Sequence, residues 1–170
     1  MTSKERVLQR EHDRGMPVGK VQGRADALDL AARAPKMTGT EIIAEEDHVP
    51  AWSESAVYTT AQVGFPVQDA GQVYTILMPH TPAHNPGSRP ADLRAIYSLL
   101  HTTDPKKAKP WMPSYGTSGL YRFNEVCAYP NAEGVKHVWR NLWEGNEYPP
   151  LTLNAESRWE DLGEAAAYGL

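Results

Sequence analysis

Trp52 and Trp111 stand 59 residues apart, and they head a series of matched positions. Tyr58 with Tyr121, Val63 with Val126, Gly71 with Gly134 and Pro86 with Pro149 are each 63 apart, Tyr74 with Trp139 are 65, and Tyr97 with Trp159 are 62. The shared order is a Trp, a Tyr-containing strand, a Val-containing strand, a Gly turn, an aromatic strand, a Pro loop and a terminal aromatic. A drift of a few residues is what loop insertions produce. Such an internal repeat constrains the fold more than any single motif, because each short copy must close a small core from a few large rings. The expected fold is mainly β: two small antiparallel β modules in tandem, preceded by a short α-helical N-terminal arm. Residues 1–50 are assigned to the arm, 51–104 to the first module and 105–170 to the second.

Composition agrees with short strands and many turns. The 170 residues hold two Phe against thirteen Trp and Tyr, with Gly and Pro totalling twenty-seven. The stretches "SAVYTTAQVGFPV", "GQVYTILM", "SGLYRFNEVCAYP" and "VKHVWRNLW" carry the strand pattern, apolar or aromatic alternation bounded by turn residues. Asp69–Gly71 and Asn131–Gly134 have hairpin-turn chemistry. "ADLRAIYSLLHT" fits a helix by propensity and a closing strand by its "IYSLL", and stays open between them.

Before residue 50 the pattern is helical. A capping box, Thr2 with Glu5, opens a short polar helix over residues 2–14 that Gly15 and Pro17 stop. Met16 to Gly23 is expected to be a linker, "ADALDLAARA" a second helix ended by Pro35, and Thr38 with Glu41 a second capping box ahead of Ile42 and Ile43. An arm of this size has no core of its own. Its apolar residues Val7, Leu8, Leu28, Leu30, Ile42 and Ile43 are therefore the candidates for docking on a partner.

Charge narrows the partners. Residues 1–24 carry six Lys or Arg against three acids, and the remainder eleven against eighteen, for a net charge of −4. An acidic body with a mildly basic arm speaks against nucleic acid as the main ligand, whereas the arm suits an acidic protein surface. The single cysteine, Cys127, rules out an intramolecular disulfide and a cysteine-rich zinc site. No apolar run approaches a membrane span of roughly 20 residues, and the N-terminus lacks the apolar segment of a secretory signal.

The repeated residues resemble a family. "AVYTTAQV…GQVYTILMPHT…NPGSRP…IYSLL" and "LYRFNEV…GVKHVWRNLW…YPP…RWEDL" are each similar to the chitin-binding-type module of bacterial chitinases, a carbohydrate-binding module of family 5/12 type. "LAARAPKMTGTEIIAEEDHVPAW" ahead of such modules looks like small proteins encoded among phage and prophage tail genes. In that family an exposed, sugar-stacking Trp precedes the Pro of the long loop. The first copy has His84-Asn85 there and the second has Tyr148. The resemblance thus implies a lost platform in copy one, and in copy two a candidate carbohydrate-binding pair, Trp143 and Tyr148. Trp52, Trp111, Tyr74, Trp139 and Trp159 fall at core positions.

Other chemistries find little support. His80, His84 and His101 follow no metal-ligand spacing and suit hydrogen bonds to loop carbonyls freed by the neighbouring prolines, so no metal or other cofactor is expected. Glu125, Glu144 and Glu147 offer carboxylates for glycoside hydrolysis, but a fold this small is expected to place them on turns without a substrate cleft. No G-x-S-x-G elbow exists, and Cys127 suits packing better than nucleophilic attack. "DPKKAKPW" is expected to be the linker between modules, its lysines solvated.

The expected function is a non-enzymatic phage virion protein, decorating tail or capsid in many copies. Its arm would dock on other virion proteins, and its modules would either contact host-surface polysaccharide or serve as protein–protein decoration, with no nucleic acid or membrane involved. It would be made in the host cytoplasm and end in the virion. The alternative is a bacterial accessory that targets chitin or cell-wall polysaccharide.

Overall fold

Residues 2–13, 18–152 and 156–170 are described by a computed structural model. Three helices, α1 (Ser3–Asp13), α2 (Val18–Arg33) and α3 (Gly39–Ala44), precede two sheets. The first is an antiparallel meander of β1 (Pro66–Asp69), β2 (Gln72–Ile76) and β3 (Tyr97–Leu99). The second contains β4 (Lys109–Pro110), β5 (Val126–Pro130), β6 (Lys136–Asn141) and β7 (Trp159–Glu164), with β4 parallel to β5 and the other pairs antiparallel. Helix takes about 30% and strand about 26%, so the class is mixed α and β rather than mainly β.

Local chemistry accounts for most of these elements. The Thr38 hydroxyl accepts the Glu41 N–H at 3.3 Å while the Glu41 carboxylate accepts the Thr38 N–H at 2.7 Å, a complete capping box at the head of α3. Ala70 and Gly71, both at positive φ, form the two-residue turn between β1 and β2. The expected linker over 16–23 is corrected from Val18 onward: α2 starts there and runs through Gly19 and Gly23, while Met16 and Pro17 lie outside the described residues. Packing against α1, with Lys4 paired to Asp26, offsets the helix penalty of those glycines. The ambiguous segment resolves as turns over residues 89–96 followed by β3.

The arm is part of the body. Leu30, Ala34, Ile42, Ile43 and Val49 bury themselves together with Val73 of β2, and Leu100 packs on the cluster. Lys107 and Lys109, expected in a solvated linker, instead pair with Glu46, which ties residues 105–110 to the segment after α3. Each sheet then has an aromatic cluster: Tyr58, Tyr74 and Tyr97 with Trp52 beside the first, and Tyr121, Trp139 and Trp159 with Trp111 beside the second.

The same backbone contacts occur twice. Trp52 N–H donates to Gln68 O at 2.8 Å, and Trp111 N–H to Ala128 O at 3.0 Å. Gly64 N–H bonds Ile76 O and Asn124 N–H bonds Asn141 O, both at 2.8 Å, and both donor residues have positive φ. Leu77 N–H bonds Ile96 O and Leu142 N–H bonds Arg158 O, again at 2.8 Å. Tyr58 exchanges both backbone bonds with His80, and Tyr121 does so with Asn146. One expected match is corrected. Val126 lies in β5, where the Trp-anchored register makes Pro66 its counterpart, and Val63 is an exposed residue in the loop before β1. That loop separates Tyr58 from Gly64 by six residues, against three between Tyr121 and Asn124.

Candidate functional site

Trp143 and Tyr148 lie between β6 and the 3-10 turn Glu156–Arg158 that leads into β7, and two buried asparagines shape this segment. The Asn141 side-chain amide lies among the carbonyls of Tyr121, at 3.1 Å, Arg122, at 2.8 Å, and Trp143. Asn146 Nδ2 donates to Asn141 Oδ1 at 2.9 Å, and Asn146 Oδ1 accepts the Tyr148 N–H at 3.1 Å. The core indole of Trp159 donates to the Tyr148 carbonyl at 3.0 Å. Every polar atom in this set is bonded, which fixes the backbone from which both rings project.

The two rings remain open to solvent, Trp143 at 49% and Tyr148 at 41%. Between them the structure places a residue that sequence reasoning missed. The Arg158 guanidinium carbon lies 4.7 Å from the centroid of each ring. Its own carbonyl accepts the Leu142 N–H, so backbone and side chain are both held. Arg158 is remote from either ring in sequence, and no local motif marks it. The signal lay in the repeat, where Arg158 stands at the place of Ile96 in the first sheet and puts a charge where its counterpart is aliphatic.

The first sheet has no such pair. Met78 is the counterpart of Trp143, and His84 and Asn85 are exposed on a loop, residues 82–89, whose sequence holds no Trp, Tyr or Phe. His80 is explained by the core. Trp52 Nε1–H donates to Tyr97 Oη at 2.8 Å, Tyr97 Oη contacts His80 Nε2, and His80 Nδ1–H donates to Met78 O at 3.0 Å. Burial pushes the Tyr97 phenol up to about 12. His101 lies elsewhere, stacked on Tyr121 at 3.6 Å with Nε2–H donating to Gly119 O at 2.9 Å. The three histidines therefore do not converge, and among the described residues no group of three or more His, Cys, Asp or Glu is arranged to hold a metal.

Glu144 lies on a turn and Glu125 directly after one, as expected, but the expected absence of a cleft is corrected. They line a cleft of about 880 Å³ between the start of α3, the end of β3 and the loop after Tyr121, together with Thr38, Leu100, Gly119 and Phe123. Burial raises the Glu125 carboxyl, partly offset by the Arg122 N–H it accepts at 2.7 Å, and the nearby Glu144 charge raises it further. Glu144 accepts the Phe123 N–H at 3.2 Å. Cys127 is fully buried, its thiol pushed up by that burial, as a packing residue would be.

The arm candidates divide. Leu30, Ile42 and Ile43 are buried inside this chain and offer nothing to a partner, a correction that follows from their packing on Val73. Leu28 is 41% exposed, Leu8 is half-buried, and the Val7 side chain lies outside the described residues. No helix is long and apolar enough to cross a membrane among the described residues. No family model matches the chain, and no curated protein matches it.

Proposed function

We propose that this protein is a non-enzymatic virion accessory protein built on two copies of a chitin-binding-like module, the second of which contacts a surface saccharide. One observation carries the reading: Trp143 and Tyr148 stay exposed on a backbone fixed by buried Asn141 and Asn146. Large rings held out in water cost free energy that a purely packed fold recovers by burying them. Rigid exposed rings suit CH–π stacking on a sugar, with little ordering cost on binding. The recurring backbone contacts support two copies of one module. The first, with Met78 where the second has Trp143, serves as scaffold. Attachment to other virion proteins falls to the exposed side of α1 and α2, and many copies on one particle turn weak single sites into avidity.

Retention on insoluble chitin and on host cell wall tests the saccharide contact. Wild type is expected to be retained, while Trp143→Ala and Tyr148→Ala elute in the void with unchanged melting temperatures. If wild type passes through every such matrix, the saccharide role is wrong and only the architectural one stands. The cleft beside Glu125 and Glu144 favours a second reading, glycoside hydrolysis. Release of reducing ends from the same matrices, lost in Glu125→Gln, would put it in first place.

A further inference from the structure

Arg158 is the unusual member of the Trp143–Tyr148 site. Several other basic side chains have carboxylate partners: Arg33 with Glu45, Arg89 with Asp69, Lys107 and Lys109 with Glu46, and Arg140 with Glu160. Arg94 lacks one but is buried in the core, whereas Arg158 lies at the surface site. Among the described residues the Arg158 guanidinium has no hydrogen bond and no ion pair; it has two aromatic faces. Among the described carboxylates of this region, Glu144 accepts the Phe123 N–H, Glu160 pairs with Arg140, and Glu147 makes no pair with Arg158.

Stacking occupies the flat π-face of a guanidinium and leaves its N–H edge free. That edge is a rigid fork matched to two oxygens of a carboxylate or a phosphate. Ring contacts on the guanidinium also reduce the rotamer freedom that a free arginine would lose on binding. A neutral sugar needs only the rings. The charged fork between them has a use when the ligand carries an anionic oxygen beside its apolar CH face.

We infer that the Trp143–Arg158–Tyr148 cluster binds an anionic saccharide, one bearing carboxylate or phosphate groups, with Arg158 as its charge-recognising residue. This rests on the saccharide-contact reading above and names the ligand class for that site. The rings stack on the sugar face, and the guanidinium edge takes the anionic oxygens in a bidentate pair. Where the first sheet carries Met78 and Ile96, the same geometry offers neither ring nor charge.

Isothermal titration of the full chain with soluble oligosaccharides of matched length tests the inference. The probes are a chito-oligosaccharide, an oligogalacturonate and a glycerol-phosphate polymer, each at low and at high salt. At low salt at least one anionic probe is expected to bind about tenfold more tightly than the neutral one. That preference should shrink at high salt, where exposed charges are screened. Whichever anionic probe binds better identifies the source of the charge. Arg158→Gln, whose planar amide still stacks but carries no charge, should bring anionic and neutral affinities within about twofold, and Arg158→Lys should recover part of the preference. Neutral and anionic probes binding equally and without salt dependence would overturn the anionic inference and leave the saccharide contact standing. No binding of any probe, with a folded protein by its melting curve, would remove the saccharide reading itself.

Discussion

A buried indole N–H needs an acceptor, and the two matched tryptophans differ in whether they have one. Trp52 Nε1–H finds the Tyr97 hydroxyl at 2.8 Å. Trp111 sits at the corresponding place, but the counterpart of Tyr97 is Trp159, which has no hydroxyl, and Trp111 Nε1 is buried without a partner among the described residues. Trp159 spends its own N–H on the Tyr148 carbonyl, which holds the exposed ring in place. Exchanging Tyr for Trp at this one position therefore satisfies the Tyr148 carbonyl and orphans the neighbouring indole. An unmade bond to a buried donor costs about 1–3 kcal/mol, so relieving it offsets much of the volume lost in a truncation. Trp111→Phe should then cost less than Trp52→Phe by about 1–2 kcal/mol in denaturant unfolding. Equal losses for the two variants would mean that the orphan N–H is satisfied by a route outside the bonds described above.

At the scale of elements, the arm separates into a part the core needs and a part it does not. Leu30, Ile42, Ile43 and Val49 cover Val73, and Glu46 holds Lys107 and Lys109. Gly39, the first residue of α3, passes so close to the segment after β3 that a Cβ there would stand 2.3 Å from the His101 carbonyl oxygen. By contrast α1 touches the rest through α2, and its removal leaves the buried cluster whole. A chain lacking residues 1–17 should still fold around the buried cluster, melting somewhat lower as α2 loses its packing on α1, and on the proposed reading it should lose attachment to other virion proteins. One lacking residues 1–50 should unfold readily, since deleting even one such buried aliphatic costs about 2–5 kcal/mol. A folded 1–50 deletion would show that the cluster contributes little.

The capping box at Thr38, the turns at Asp69–Gly71 and Asn131–Gly134, and the pairing of Trp52 with Trp111 were legible because each is written in local chemistry or in repetition. What stayed hidden depends on partners far apart in sequence. The burial of Ile42 against Val73, the placing of Arg158 over Trp143 and Tyr148, and the cleft at Glu125 and Glu144 all arise from how segments pack, which periodicity does not encode. The Met16–Gly23 stretch misled for the same reason: its glycines signal a linker locally, and tertiary contact with α1 overrides them from Val18 onward.

In the whole molecule the two sheets share a seam. Gln72 Nε2 donates to Pro110 O at 2.8 Å, Ser118 Oγ to Ser98 Oγ at 2.9 Å, and Val126 N–H to Thr102 O at 2.8 Å. His101 is a titratable group in this seam, following directly on the first sheet, stacked on Tyr121 and hydrogen-bonded to the Gly119 carbonyl in the segment that leads into β5. Burial, opposed by the Gly119 bond and aided by the Arg94 charge, lowers its pKa to about 4 from an ordinary 6.5. Above pH 6.5 neither the folded nor the unfolded chain is protonated there, and the group has no effect on stability. Between 6.5 and 4 the unfolded chain takes a proton that the folded one refuses, so stability falls as pH falls, by about 3 kcal/mol across the window. His101→Phe keeps a ring against Tyr121 and cannot titrate; it should start less stable, for want of the Gly119 bond, yet lose less on acidification than wild type. Urea midpoints measured from pH 4 to 7 check the difference in slope, with carboxylate contributions common to both proteins. Since the seam joins both sheets, near-ultraviolet signals from either cluster should be lost in the same transition at each pH. Identical slopes for the two proteins, or two separate transitions in wild type, would show that His101 does not couple the sheets.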